Sequence, residues 1–177
     1  KEQPFGIHGI HGRSLPIAMG IKLGNPALNV ITVAGDGDFL GIGAEHISPQ
    51  GMRNLDITAV VMDNGVYGLT KGQSSPTTEL GVVTSSTPYG KMEEKMHPLR
   101  AYMTMGVSFI GSAISSKIKD MSDIMYQAME HPGFSIVHVQ SPCTEYNNTY
   151  EALKGNAKKG IAPLADRKST RLNSSHW

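Results

Sequence analysis

The stretch "VAGDGDFLG", residues 33 to 41, places two carboxylates, Asp36 and Asp38, inside a glycine-rich turn that follows a short β-branched run. Such a turn, leading into an apolar segment, is the arrangement in which backbone N–H groups and a helix start receive a phosphate. The acids contradict that use unless something offsets them. Two like charges about 4 Å apart repel by roughly 4 kcal/mol at an effective dielectric of about 20. Three readings compete. In the first, the glycines only permit positive φ and the acids only cap a helix. In the second, Gly35, Gly37 and Gly41 form a dinucleotide fingerprint one residue longer than usual, with Asp63 as the ribose-binding acid. Asp36 would then face the pyrophosphate with no group to neutralise it. In the third, a divalent cation, most simply Mg²⁺, lies between Asp36 and a diphosphate.

The third reading asks for further oxygen ligands at the same edge of the fold. The 26 residues 38 to 63 separate Gly37 from Asn64, which follows a second apolar run, "DITAVVMD". If both runs are parallel strands, Asp36 and Asn64 emerge together at the carboxyl edge, where α/β sheets bind ligands. The backbone carbonyl of Val66 lies just beyond and completes a plausible protein share of the coordination.

The elements that must position these residues follow from periodicity. "SLPIAMGIKLG", residues 14 to 24, predicts a helix with Ser14 as cap, and "NVITVAG" a buried strand. "FLGIGAEHISPQGMRN" predicts a helix disturbed near Pro49 and Gly51, and "DITAVVMDN" a second buried strand. Residues 64 to 98 are polar and rich in Gly and Pro, and loops of that length are usually functional. "LRAYMTMG" (helix), "VSFIG" (strand), "KDMSDIMYQAMEH" (helix) and "FSIVHVQSP" (strand) repeat the alternation. The expectation is an α/β fold with a mostly parallel sheet and helices on both faces.

Composition excludes some partners. Sixteen Lys and Arg against fifteen Asp and Glu produce no field for nucleic acid or a membrane surface. No apolar segment has membrane-spanning length, and the first residues lack a signal-peptide core, so a cytoplasmic location is expected. A single cysteine, Cys143, excludes an internal disulfide. The ten methionines read as adaptable core filler. The start without Met and the closing string "KSTRLNSSHW" suggest a piece of a longer subunit, with residues 1 to 167 as one domain truncated at both ends and 168 to 177 as a non-native tail.

Together, "GDG" followed after 26 residues by "N" resembles the thiamine-diphosphate motif. "HGR" at 11 to 13, "MDNGVYGLTKGQSSPTT" at 62 to 78, "STPYG" and "GFSIVHVQSPC" are similar to the β subunit of 2-oxoacid:ferredoxin oxidoreductases, especially the 2-oxoglutarate-like branch. That resemblance implies a thiamine-diphosphate-binding fold in which Asp36, Asn64 and the Val66 carbonyl hold Mg²⁺. It further implies that Gly35, Gly37, Asp38, Tyr67, Leu69 and Thr70 lie against the cofactor, with His11 nearby. Lys71 reads as a structural or surface charge, since the phosphate-loop spacing is absent. Cys143, in its "SPC" turn, is implied to be the fourth ligand of a [4Fe-4S] cluster whose other thiolates come from the full-length subunit.

The implied reaction converts a 2-oxoacid, coenzyme A and oxidised ferredoxin to acyl-CoA, CO₂ and reduced ferredoxin, with 2-oxoglutarate or pyruvate as the type of substrate. The pyrimidine-activating acid is expected from an α subunit in a heteromer, so no catalytic acid or base is assigned to this chain. The alternatives are another thiamine-diphosphate enzyme, a non-oxidative decarboxylase or synthase, or a nicotinamide-binding oxidoreductase.

Overall fold

The structure, a computed structural model, describes residues 5 to 164 and the backbone of 170 and 171. Its organising element is a five-stranded sheet. The strands are β1 (Ile31–Gly35), β2 (Ile57–Asp63), β5 (Phe109–Ile114), β6 (Phe134–Gln140) and β7 (Thr170–Arg171), in the order β1-β2-β6-β5-β7. β1, β2, β6 and β5 pair in parallel, and β7 adds antiparallel to β5. The mostly parallel sheet expected from the alternating pattern is therefore present. β7 falls within residues 168 to 177, the expected non-native tail, and the rest of that stretch lies outside the described residues.

Helices cover both faces, and the alternation along the strands decides which residues meet them. On one face Ala59 and Val61 of β2 and Ile136 of β6 pack with Leu15 and Ala18 of α1 (Ser14–Gly24), Ile47 of α2 (Ile47–Arg53) and Tyr102 of α3 (Pro98–Thr104). On the other, Val60, Val137 and Val139 pack with Ile124 and Ala128 of α4 (Ile118–Glu130). Burying a side chain of this size contributes about 1.5–3 kcal/mol, so the two apolar clusters hold the sheet edge in place.

Three expectations need correction. β1 is an edge strand, not a buried one: Ile31 and Val33 are exposed, because α4 packs over β5, β6 and β2. Ser14 is the first residue of α1 and its side chain makes no capping hydrogen bond; Arg13 takes the cap position. The segment after the glycine turn breaks earlier than Pro49. Gly37–Ile42 form a π-helical turn, Ala44–His46 a 3₁₀ turn, and only then does α2 begin. The wide turn is closed by the Gly43 N–H donating to the Asp38 carbonyl at 2.8 Å, five residues back. Pro49 sits in the first turn of α2, where its missing N–H costs nothing.

The long segment after β2 contains a short hairpin, β3 (Val66–Tyr67) with β4 (Gln73–Ser74), and is otherwise irregular until α3. The strand predicted at "VSFIG" starts two residues later, at Phe109. A short helix, α5 (Tyr150–Lys154), follows the "SPC" turn. Among the described residues, no helix is long and apolar enough to cross a membrane.

Candidate functional site

Register brings the glycine turn and the end of β2 together. Gly35 lies opposite Met62, so Asp36 and Asp63 leave the sheet side by side at its carboxyl edge. Asp36 is fully buried. Its Oδ1 accepts the Asn64 N–H at 3.3 Å and its Oδ2 lies 2.8 Å from the Thr77 hydroxyl. The same hydroxyl is 2.7 Å from Asp63 Oδ1. A hydroxyl has one proton, so Thr77 donates to one carboxylate at a time.

Beyond Asp63 the chain of polar contacts runs inward. Asp63 Oδ2 is 2.9 Å from His138 Nε2, and His138 Nδ1 is 3.1 Å from the Tyr102 hydroxyl. His138 is opposite Val61 in the β2–β6 register, two residues before Asp63, which puts both side chains on one face of the sheet. Burial pushes the Asp36 carboxyl above its ordinary range, with the Asp63 charge adding to it; hydrogen bonds from Ser75, Thr77 and the Asn64 backbone act against them. For Asp63, burial also acts upward. The hydrogen bond and charge of His138, with the Thr77 hydroxyl and the Gly65 N–H, outweigh it and hold the carboxyl below its ordinary value. This commitment of Asp63 to inward partners removes it from the role of a ribose-binding acid.

Asp38 points elsewhere. Its Oδ1 accepts the Gly12 N–H at 2.6 Å and lies 3.3 Å from His11 Nδ1. Gly12 has φ of 75°, a turn conformation suited to glycine. The His11 ring stacks on Tyr67, with centroids 5.7 Å apart and planes 26° apart. The Tyr67 hydroxyl donates to the Gly37 carbonyl at 2.8 Å. A Cβ on Gly37 would stand 2.5 Å from that ring, so the close approach requires glycine there. The two acids of the turn thus serve different neighbours: Asp36 the end of β2, Asp38 the segment at His11.

The remaining expected residues surround this centre. Asn64 Oδ1 accepts the Val66 N–H at 3.1 Å, and the Asn64 carbonyl accepts from Asn147 Nδ2 at 2.8 Å. Val66 is buried, whereas Leu69 is 95% exposed at the hairpin tip. Exposed Thr70 bonds Gln73, and Lys71 adopts φ of 82° on the same tip. Cys143 is half-buried. Its backbone exchanges hydrogen bonds with Asn147 at 3.1 and 2.9 Å, and a Cβ on Gly68 would lie 3.7 Å from its Sγ. The "SPC" turn therefore touches the same hairpin as Tyr67 and Leu69.

Sequence reasoning missed Thr77, His138 and Tyr102. Only His138 left a signal, a lone imidazole between Val137 and Val139 in a mostly apolar strand.

No group of three or more His, Cys, Asp or Glu suited to a metal occurs among the described residues. The donor set at the sheet edge is a different one: a carboxylate (Asp36), an amide oxygen (Asn64) and a backbone carbonyl (Val66). These are hard oxygen donors in the small number that Mg²⁺ takes from protein when substrate phosphates complete its shell, so the residues fit that ion. A four-iron cluster takes four thiolates, and this chain has one cysteine, so its residues do not hold a cluster by themselves.

Comparison with known proteins shows the family and the fold. Residues 2–139 match the family described as thiamine pyrophosphate enzyme, C-terminal TPP binding domain. The chain is 43% identical over 145 residues to the 2-oxoacid:ferredoxin oxidoreductase subunit beta of Saccharolobus solfataricus, covering 82% of this chain and 48% of that protein. It is 37% identical to the 2-oxoglutarate oxidoreductase subunit KorB of Mycobacterium tuberculosis, over 86% of this chain and 41% of that one. Among solved structures, the 2-oxoglutarate:ferredoxin oxidoreductase of Magnetococcus marinus, with 2-oxoglutarate, coenzyme A and succinyl-CoA bound, superposes with a TM-score of 0.77 at 40% identity. That match covers 78% of this chain and 47% of the solved one. A thiamine diphosphate-dependent 4-hydroxybenzoylformate decarboxylase from Rhodococcus jostii, at 17% identity and a TM-score of 0.56, shares the fold. The chain spans about half the length of the curated relatives it matches.

Proposed function

This chain belongs to the thiamine pyrophosphate enzymes, as a C-terminal TPP-binding domain, and from that premise we propose that it is the diphosphate-binding part of a 2-oxoacid:ferredoxin oxidoreductase β subunit. The complete enzyme would convert a 2-oxoacid of the 2-oxoglutarate or pyruvate type and coenzyme A to acyl-CoA and CO₂, delivering the electrons to ferredoxin. The observation that carries the reading is the fully buried Asp36 carboxylate beside Asn64 at the sheet edge, in a chain 43% identical to such a subunit.

In this reading Asp36, the Asn64 amide oxygen and the Val66 carbonyl hold Mg²⁺, which neutralises the diphosphate and removes the conflict between an anion site and its acids. Gly35 and Gly37 let the backbone approach the phosphates. Asp38 fixes the His11 segment against the turn. The stacked His11 and Tyr67 form an aromatic wall, and Leu69 and Thr70 at the hairpin tip supply further cofactor contacts. Bound thiamine diphosphate supplies the nucleophilic carbon and the electron sink for decarboxylation. The chain's own residues bind, orient and neutralise it. No acid–base residue for the pyrimidine ring is assigned here, and we place that group on an α-subunit partner.

Cys143 is proposed as one ligand of a [4Fe-4S] cluster completed by thiolates outside this chain. Its place beside Gly68, on the hairpin that carries Tyr67, supports a position close to the cofactor. The oxidative branch is favoured over a non-oxidative decarboxylase by identity: 40% to the ferredoxin-linked structure against 17% to the decarboxylase.

The test is 2-oxoacid- and CoA-dependent reduction of ferredoxin or a viologen dye by the full-length subunit assembled with its α subunit. Turnover requiring both proteins supports the division of labour; turnover by this chain alone overturns it.

A further inference from the structure

Lys91 lies outside every motif discussed so far, in the irregular segment between the hairpin and α3, and it is buried, at 6% exposure. Its ammonium donates to three carbonyls of one turn: Thr78 at 2.8 Å, Ser75 at 3.3 Å and Pro76 at 3.4 Å. An ammonium has three N–H donors, and these carbonyls take all of them.

The turn so gathered reaches the diphosphate site on two sides. Thr78 Oγ1 accepts the Ser75 N–H at 2.8 Å and donates to the Gly65 carbonyl, next to Asn64, at 2.5 Å. Thr77, whose carbonyl the ammonium does not bind, aims its hydroxyl between Asp36 and Asp63 at 2.8 and 2.7 Å. The Lys91 backbone is tied as well, accepting from Gly81 at 2.7 Å and donating to Val82 at 3.0 Å.

Taking an ammonium out of water for carbonyl partners is unfavourable compared with an apolar side chain of the same volume. What this charge provides that an apolar residue would not is convergence of three carbonyls on one point, which fixes the conformation of the turn between them. We infer, on the diphosphate-site reading above, that Lys91 and Thr77 are positioning residues: the Lys91 ammonium orders the Ser75–Thr78 turn, and Thr77 from that turn orients the Asp36 carboxylate toward the metal. Groups that orient a metal ligand through a hydrogen bond typically alter metal affinity about 10- to 100-fold when removed.

The experiment uses the chain assembled with its α subunit and compares Lys91→Met, Thr77→Val, the double variant and Thr77→Ser. Two quantities are read: amide hydrogen exchange across residues 75 to 78 without metal, and the Mg²⁺ concentration that half-saturates thiamine diphosphate binding. Lys91→Met is expected to speed exchange at Thr77 and Thr78, and each single variant to raise the half-saturating Mg²⁺ about 10- to 100-fold. The double variant is expected to be no worse than the poorer single one, because both act through one contact. Thr77→Ser, which keeps the hydroxyl, is expected to stay close to the unsubstituted protein. Unchanged exchange in Lys91→Met, or effects that multiply in the double variant, overturns the inference. If Lys91→Met does not fold, Thr77→Val against Thr77→Ser still decides: equal Mg²⁺ dependence overturns it. If the unsubstituted assembly binds no thiamine diphosphate at any Mg²⁺ concentration, the proposed function fails, and the exchange measurement separately judges the ordering of the turn by Lys91.

Discussion

Asp36 and Asp63, neighbours at the ends of adjacent parallel strands, share a single hydroxyl: Thr77 Oγ1 stands 2.8 Å from one carboxylate and 2.7 Å from the other. Their surroundings push them in opposite directions, Asp36 above its ordinary value through burial and the Asp63 charge, Asp63 below it through His138 despite burial. Carboxyls whose surroundings separate them in this way recur at functional sites.

The two acids are expected to affect stability with opposite sign. A carboxyl raised in the folded state destabilises the fold above its unfolded value of 3.8, progressively as pH rises toward the folded value. Asp36→Asn without metal is therefore expected to raise the neutral-pH stability and flatten its decline above that pH. A carboxyl lowered in the folded state contributes stability above 3.8 that is lost as pH falls toward its folded value. Asp63→Ala, which leaves His138 without a partner, is expected to cost about 1–3 kcal/mol at neutral pH. Denaturant titrations across pH check both, and equal signs for the two variants would contradict the assignment.

Gly37→Ala is expected to displace the Tyr67 ring, since its Cβ would stand 2.5 Å away. Overpacking of this kind costs roughly 1–3 kcal/mol. Tyr67→Phe keeps the ring and loses only the hydrogen bond to the Gly37 carbonyl, so it is expected to lose about 0.5–1.5 kcal/mol. Thermal unfolding of the two variants gives the order; a more damaging Tyr67→Phe would show that the hydroxyl, not the space, governs this contact.

Cys143→Ala, made in the full-length subunit, is expected to leave folding nearly unchanged and to diminish the iron and sulfide content of the assembled enzyme, with a changed paramagnetic resonance spectrum after reduction. The side chain is half-buried and its neighbours are held through its backbone. An unaltered cluster content and spectrum would assign Cys143 to packing alone.

Much of the fold was legible because its signals are local. Short β-branched runs and the 26-residue interval from Gly37 to Asn64 encode parallel strands that open at one edge. The exposure of Ile31 and Val33 was not legible, since a β-branched run reads the same whether one face is covered or both. The early break before α2 depends on the bond from Gly43 back to Asp38, which no helical pattern displays. At the site, Asp36 and Asn64 were legible through spacing and motif. Thr77 and Lys91 were not: Thr77 approaches Asp36 from 41 residues away and Lys91 only through the Ser75–Thr78 turn, within a segment without periodicity. His138 and Tyr102, 36 residues apart, meet only because α3 packs on the face of β6.

In the proposed function Asp36 serves a cation that in turn serves a diphosphate. The most direct measurement is calorimetric titration of thiamine diphosphate into the chain assembled with its α subunit, in Mg²⁺ and in excess chelator, for the unsubstituted protein and Asp36→Ala. Binding is expected only with Mg²⁺ or a similar cation, and Asp36→Ala is expected to abolish it at any Mg²⁺ concentration. Unchanged affinity in chelator, or in Asp36→Ala, would contradict that reading.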